Sequence, residues 1–231
     1  VFVKDLVTGA VTLVSSDAAG TPVSAERAAP AFLPDGTGVT FLTSAALSPD
    51  DTNGKRDLYR KDLVTGAVTR LSGDGDADLF DPVLSPDGQA LAVRSSTALT
   101  ADPVGLGTQL YVKDLATGAY TLVSRAADGP NGTKGAVADA SISEAVFSAD
   151  GKQVAFWSSA DNLVPVDTNR SSDLFVKDLV TGRVILVSAA ADGTQSRHGG
   201  QDEPPAFSPD GTKILFSSSS ATLVPGDTNG V

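Results

Sequence analysis

The sequence has no cysteine and no methionine, and only one histidine and one tryptophan in 231 residues. Without cysteine, disulfides, zinc–thiolate centres and thiol nucleophiles are all excluded. Without methionine, Val1 is not a translation start, so the chain is expected to be a processed product or a piece of something longer, with any export signal outside it. Basic residues are scarce too: 17 Lys and Arg against 28 Asp and Glu leave a net charge of −11. That balance lacks the basic face that phosphate binding needs, which excludes nucleic acid as a partner. No apolar run approaches the roughly 18 residues that span a bilayer, so no membrane insertion is expected. With 41% hydrophobic residues, the chain still has ample material for a buried core.

What fills the sequence is repetition. Lys-Asp-Leu-Val-Thr-Gly stands at Lys4–Gly9, Lys61–Gly66 and Lys177–Gly182, and Lys113–Gly118 is a copy with Ala116. A second string follows each, at Leu33–Gly36, Ser85–Gly88, Ser148–Gly151 and Ser208–Gly211. A third, Asp-Thr-Asn, recurs at Asp51–Asn53, Asp167–Asn169 and Asp227–Asn229. The period is about 58 residues, and four periods fill the chain as a single domain, 1–231.

Each period reads as four short antiparallel strands. In one copy, Leu174–Leu179 and Val184–Val187 are β-rich runs joined by a tight turn at Gly182. After a polar loop come Pro205–Ser208 and Lys213–Ser217, joined through Pro209-Asp-Gly211, where Pro presets φ, Asp bonds the local backbone and Gly takes the left-handed position. No stretch holds a sustained 3.6-residue period, so helix should be minimal. A lone four-stranded sheet cannot bury both faces. Stacking such sheets around an axis can, so the expected fold is an all-β propeller of four-stranded antiparallel blades.

The run Pro205–Ser217 resembles the PD40 repeat of TolB-like propellers, and Asp173–Leu179 resembles the strand that follows it there. The longer unit Leu223–Gly230, with Ala190–Thr194 in the preceding loop, looks like a long-repeat subgroup of secreted or surface bacterial proteins. The resemblance implies the propeller fold across all four periods and leaves function open among binding scaffolds, adhesive modules and enzyme accessory domains. TolB-like rings usually have six blades, and four periods are present here. The chain opens on a third strand (Phe2–Leu6, then Val11–Val14) and closes after Phe207 and Ile214–Ser217. The N-terminal strand pair is therefore expected to complete the last blade in a closed four-bladed ring, or else the four repeats are part of a larger propeller.

The candidate site is the acidic loop before the third strand. Asp51, Asn53 and Asp57 share a D-x-N-x-x-x-D spacing with Asp167, Asn169 and Asp173, and Asp227 and Asn229 begin a further copy. Calcium takes six to eight oxygens, and alternate Asp and Asn side chains on a tight loop bring several together. The competing reading is structural, with Asx-turns and a strand-entry carboxylate capping a backbone amide. The second period, Asp102–Gln109, carries one acid and should hold no metal. A second cluster (Asp74, Asp76, Asp78 and Asp81) reads as a solvated acidic loop. The recurrent Asp5, Asp62, Asp114 and Asp178, and Asp35, Asp87, Asp150 and Asp210, read as turn caps.

No catalytic constellation stands out. His198 lies in a polar loop near Ser196 with no nucleophile elbow. Glu26, Glu144 and Glu203 sit in the long loops, where a glycosidase pair would need a defined separation. Trp157 is expected to pack between blades. The leading functional expectation is a non-enzymatic binding or adhesive module of a secreted or cell-surface bacterial protein, with calcium as the cofactor of its loops and a protein or polysaccharide as ligand. The alternatives are a periplasmic TolB-like interaction scaffold, the accessory propeller of a hydrolase, and self-assembly through the complementary ends.

Overall fold

The computed structural model describes residues 1–25, 30–73, 79–102, 107–125, 142–169, 171–196 and 204–227, and the backbone alone at 142–144. Sixteen strands follow one another with no helix among the described residues. They are β1 (Phe2–Lys4), β2 (Val11–Leu13), β3 (Ala31–Phe32), β4 (Gly38–Thr43), β5 (Asp57–Asp62), β6 (Val68–Arg70), β7 (Leu79–Leu84), β8 (Ala90–Ser95), β9 (Gln109–Asp114), β10 (Tyr120–Leu122), β11 (Ile142–Phe147), β12 (Gln153–Ser158), β13 (Asp173–Asp178), β14 (Val184–Leu186), β15 (Ala206–Phe207) and β16 (Ile214–Leu215). Strands β3–β6, β7–β10 and β11–β14 form three antiparallel meanders in sequence order, which are the propeller blades. Hairpins β1–β2 and β15–β16 stand as separate two-stranded sheets, and no ladder joins them among the described residues.

The blades stack because each strand alternates its side chains between two apolar faces. On β12, Val154 and Phe156 join Ala92, Leu110 and Val112 of the second blade, while Ala155 and Trp157 turn to Phe207, Ile214 and Phe216 beside the last hairpin. A similar layer of Leu42, Leu58, Leu91, Val93 and Tyr111 joins the first and second blades. Val14, Val39, Phe41 and Tyr59, with Val1 and Val3, seat the β1–β2 hairpin on the first blade. Stacking of this kind buries the central strands β4, β9, β12 and β13 almost throughout, while the short strands β2, β3, β15 and β16 stay largely exposed.

Turns close each repeat by local bonding. Asp5, Asp62, Asp114 and Asp178 each accept two backbone N–H groups, from the residues two and three further on, at 2.7–2.9 Å. At the second turn Ser85, Ser148 and Ser208 donate to Asp87, Asp150 and Asp210, and the following glycine is left-handed, with φ 68° at Gly211. The lysine of each strand-turn motif has a further role. Lys61 Nζ donates to Ser16 Oγ at 2.7 Å, Lys113 Nζ to the Leu71 carbonyl at 2.9 Å and Lys177 Nζ to the Arg125 carbonyl at 3.1 Å. All three are buried, and each fastens its blade to the end of the preceding one.

Two sequence expectations change here. Asp81, expected in an acidic loop, lies within β7 at a bulge between Phe80 and Val83, where its φ is 45°. Glu144, expected in a long loop, falls within β11, which has a register shift at the corresponding place, between Ser143 and Val146. In both blades an irregular first strand bends the ladder that a uniform two-residue period would leave straight.

Candidate functional site

The acidic loop of the first blade packs against its own third strand. Asp57 opens β5, and the Ser72 hydroxyl donates to its Oδ1 while accepting the Leu58 N–H at 3.1 Å. Arg70 Nε on β6 stands 3.2 Å from the same Oδ1. Asp51 is buried, and its Oδ2 accepts the Tyr59 hydroxyl. The remaining oxygens, Asp51 Oδ1 and Asp57 Oδ2, are buried without a hydrogen bond. Burial foremost, with the nearby Asp51 charge adding to it, pushes the Asp57 carboxyl up; Ser72 and Arg70 oppose that shift.

The third blade repeats the frame. Asp173 has no solvent exposure, Ser188 Oγ donates to its Oδ1 at 2.5 Å, and its Oδ2 meets no donor. Asp167 Oδ1 is likewise buried without a bond. Burial first, then the charges of Asp173 and Asp161, push the Asp167 carboxyl up to about 6. Burial raises Asp173 as well. The two asparagines shape the turns: Asn53 Oδ1 accepts the Lys55 N–H at 2.7 Å and Asn169 Oδ1 the Ser171 N–H at 2.9 Å. Among the described residues no three Asp, Glu or His side chains converge on one point, so a cation here would draw on a carboxylate pair completed by neutral oxygens. The orphaned buried carboxylate oxygens fit such an ion.

The other candidates divide. In the second blade Gln109 replaces the strand-entry carboxylate and accepts from Ser124 at 2.8 Å, while Arg125 pairs with Asp102 at 2.7 Å. Asp81 pairs with Arg94. Trp157 is buried and meets Phe216 edge-on, with ring centroids 6.5 Å apart. Ser196 is buried, and its Oγ lies 3.3 Å from Ser218 Oγ. Asp227 is described while Asn229 is not; Asp74, Asp76, Asp78, His198, Glu26, Glu203 and the Glu144 side chain also lie outside the described residues.

A second feature was not anticipated from sequence. β7 and β15 pack against β11, so the first strands of successive blades draw together. Between β3 and β7 lies a groove of about 380 Å³ lined by Ala31, Phe32, Pro34, Pro82, Val83 and Pro86. Phe32 is 60% exposed there. The Pro-Asp-Gly motif carries this signal in hindsight, because its proline lines the groove as well as presetting a turn.

No protein-family model and no curated protein sequence matches the chain. Solved structures do. TolB from Acinetobacter baumannii is similar with a TM-score of 0.55 at 23% identity, over 95% of this chain and 43% of that one. The putative TolB from Agrobacterium tumefaciens gives 0.47 at 21%, over 86% and 62%. The β-propeller domain of the Trilobed protease from Pyrococcus furiosus gives 0.37 at 14%, over 65% and 38%. The chain spans less than two thirds of each. The first of these likenesses establishes the fold as a TolB-like β-propeller.

Proposed function

We propose that this chain is a non-enzymatic propeller module of a secreted or cell-surface protein, which binds a protein partner and carries calcium in an acidic loop. The observation that carries the binding reading is the groove between the first strands of two blades, where Phe32 and three prolines present apolar surface to solvent. An extended segment of a partner suits such a surface better than a sugar, which needs a denser set of hydrogen-bonding groups. Self-association through the end hairpins belongs to the same reading, since among the described residues both leave a strand edge unpaired.

The test is selection of displayed peptides on the immobilised chain, followed by fluorescence anisotropy with the enriched sequences. The expected result is binding that weakens about tenfold or more in Phe32→Ser. Selection that enriches nothing above a Phe32→Ser background overturns the reading. For calcium, EDTA is expected to lower the melting temperature, because an ion that binds only the folded state stabilises it. An unchanged melt removes the ion.

A further inference from the structure

The two loops of identical spacing differ in charge. We propose that only the loop of the third blade, through Asp167 and Asp173, takes a calcium ion, and that in the first blade the Arg70 guanidinium stands in for it as a built-in counter-charge. This deepens the calcium reading and rests on it.

The ladder fixes which residues correspond. Arg70 lies opposite Tyr59, two residues after Asp57, and Leu186 lies opposite Phe175, two residues after Asp173. The Arg70 side chain is only 3% exposed; besides its pairing with Asp57 it donates to the Asp50 carbonyl at 3.1 Å and the Gly73 carbonyl at 2.7 Å. It is therefore held in place by the backbone on both sides. Tyr59 adds a hydroxyl to Asp51. In the third blade both donors are gone, since leucine and phenylalanine offer none. Among the described residues no Lys or Arg pairs with Asp167 or Asp173.

Both loops leave two buried carboxylate oxygens without a donor, so oxygens alone would predict two sites. Charge decides between them. A divalent ion approaching Asp51 and Asp57 meets a fixed guanidinium of its own sign, whereas one approaching Asp167 and Asp173 meets two carboxylates. The second blade supports the same rule, because it removes one acid as Gln109 and neutralises the other through Arg125. Only the third blade holds its pair with no internal cation among the described residues, and there the unpartnered Oδ2 of Asp173 belongs to a fully buried side chain.

The test is calorimetric titration of the EDTA-stripped 231-residue chain and its variants with calcium chloride, each variant checked for folding by circular dichroism. One ion per chain is expected. It should be lost in Asp167→Asn, Asp173→Asn and Leu186→Arg and kept in Asp57→Asn, while Arg70→Leu should gain a second. Two ions in the wild type, one of them lost with Asp57→Asn, would overturn the division between loops and leave calcium binding standing. That division also falls if Arg70→Leu gains nothing. No ion in any variant, with a melt indifferent to EDTA, removes both ideas.

Discussion

Asp178 and its three counterparts are turn carboxylates held by the backbone just ahead of them. Hydrogen bonds from the backbone ahead of Asp178 hold its carboxyl below the usual range, and the same cause acts first at Asp5, Asp62 and Asp114. At Asp87, Asp150 and Asp210 the serine hydroxyl two residues back leads. For all of these the folded value lies below the unfolded one, so their contribution is complete above about pH 4 and lost as pH falls through the folded values. The melting temperature should therefore drop as pH falls below about 4, and the drop should shrink in an Asp114→Asn, Asp178→Asn double variant. A flat acid limb would contradict this. Asp167 runs the other way: burial first, with Asp173 and Asp161, raises its carboxyl to about 6, above the unfolded value, so urea unfolding of the EDTA-treated chain is expected to show stability rising as pH falls through 6. These caps were legible in the sequence because donor and acceptor lie within three residues. Arg70 beside Asp57 was not, since only strand pairing brings residues 13 apart in sequence side by side.

Among elements, the strands were read closely: Leu174–Leu179 and Val184–Val187 became β13 and β14, because apolar alternation between glycine turns leaves few other choices. The joints between blades were not read. Lys177 looked like half of a turn motif, yet its ammonium group reaches the Arg125 carbonyl 52 residues upstream. Replacing it by methionine keeps most of the packed stem and deletes the charged donor. Lys177→Met should lower stability by about 1–3 kcal/mol in urea unfolding, while Lys4→Met, at an exposed position, should change it little. Equal effects at the two positions would refute the view that these lysines fasten blades together.

At the scale of the molecule, the number of repeats was written in the chain, but whether the ring closes was not. The end hairpins each cover the outer face of a neighbouring blade, β1–β2 through Val1 and Val3 and β15–β16 through Phe207 and Ile214, and yet they form separate sheets. By motif register β16 is a second strand in want of a third, and β1 is a third strand in want of a second. Phe2 and Leu215 on these hairpins are 70% and 74% exposed. Unpaired backbone edges with apolar side chains are templates for pairing. In the 231-residue chain by itself, the two edges of different copies should find each other. Sedimentation velocity should show a weight-average mass that rises with protein concentration, and Leu215→Lys should return it toward the monomer by placing a charge on the pairing strand. A concentration-independent monomer in the wild type would mean that these edges do not pair between copies, and the assembly reading would fall while the stacked-blade fold stood.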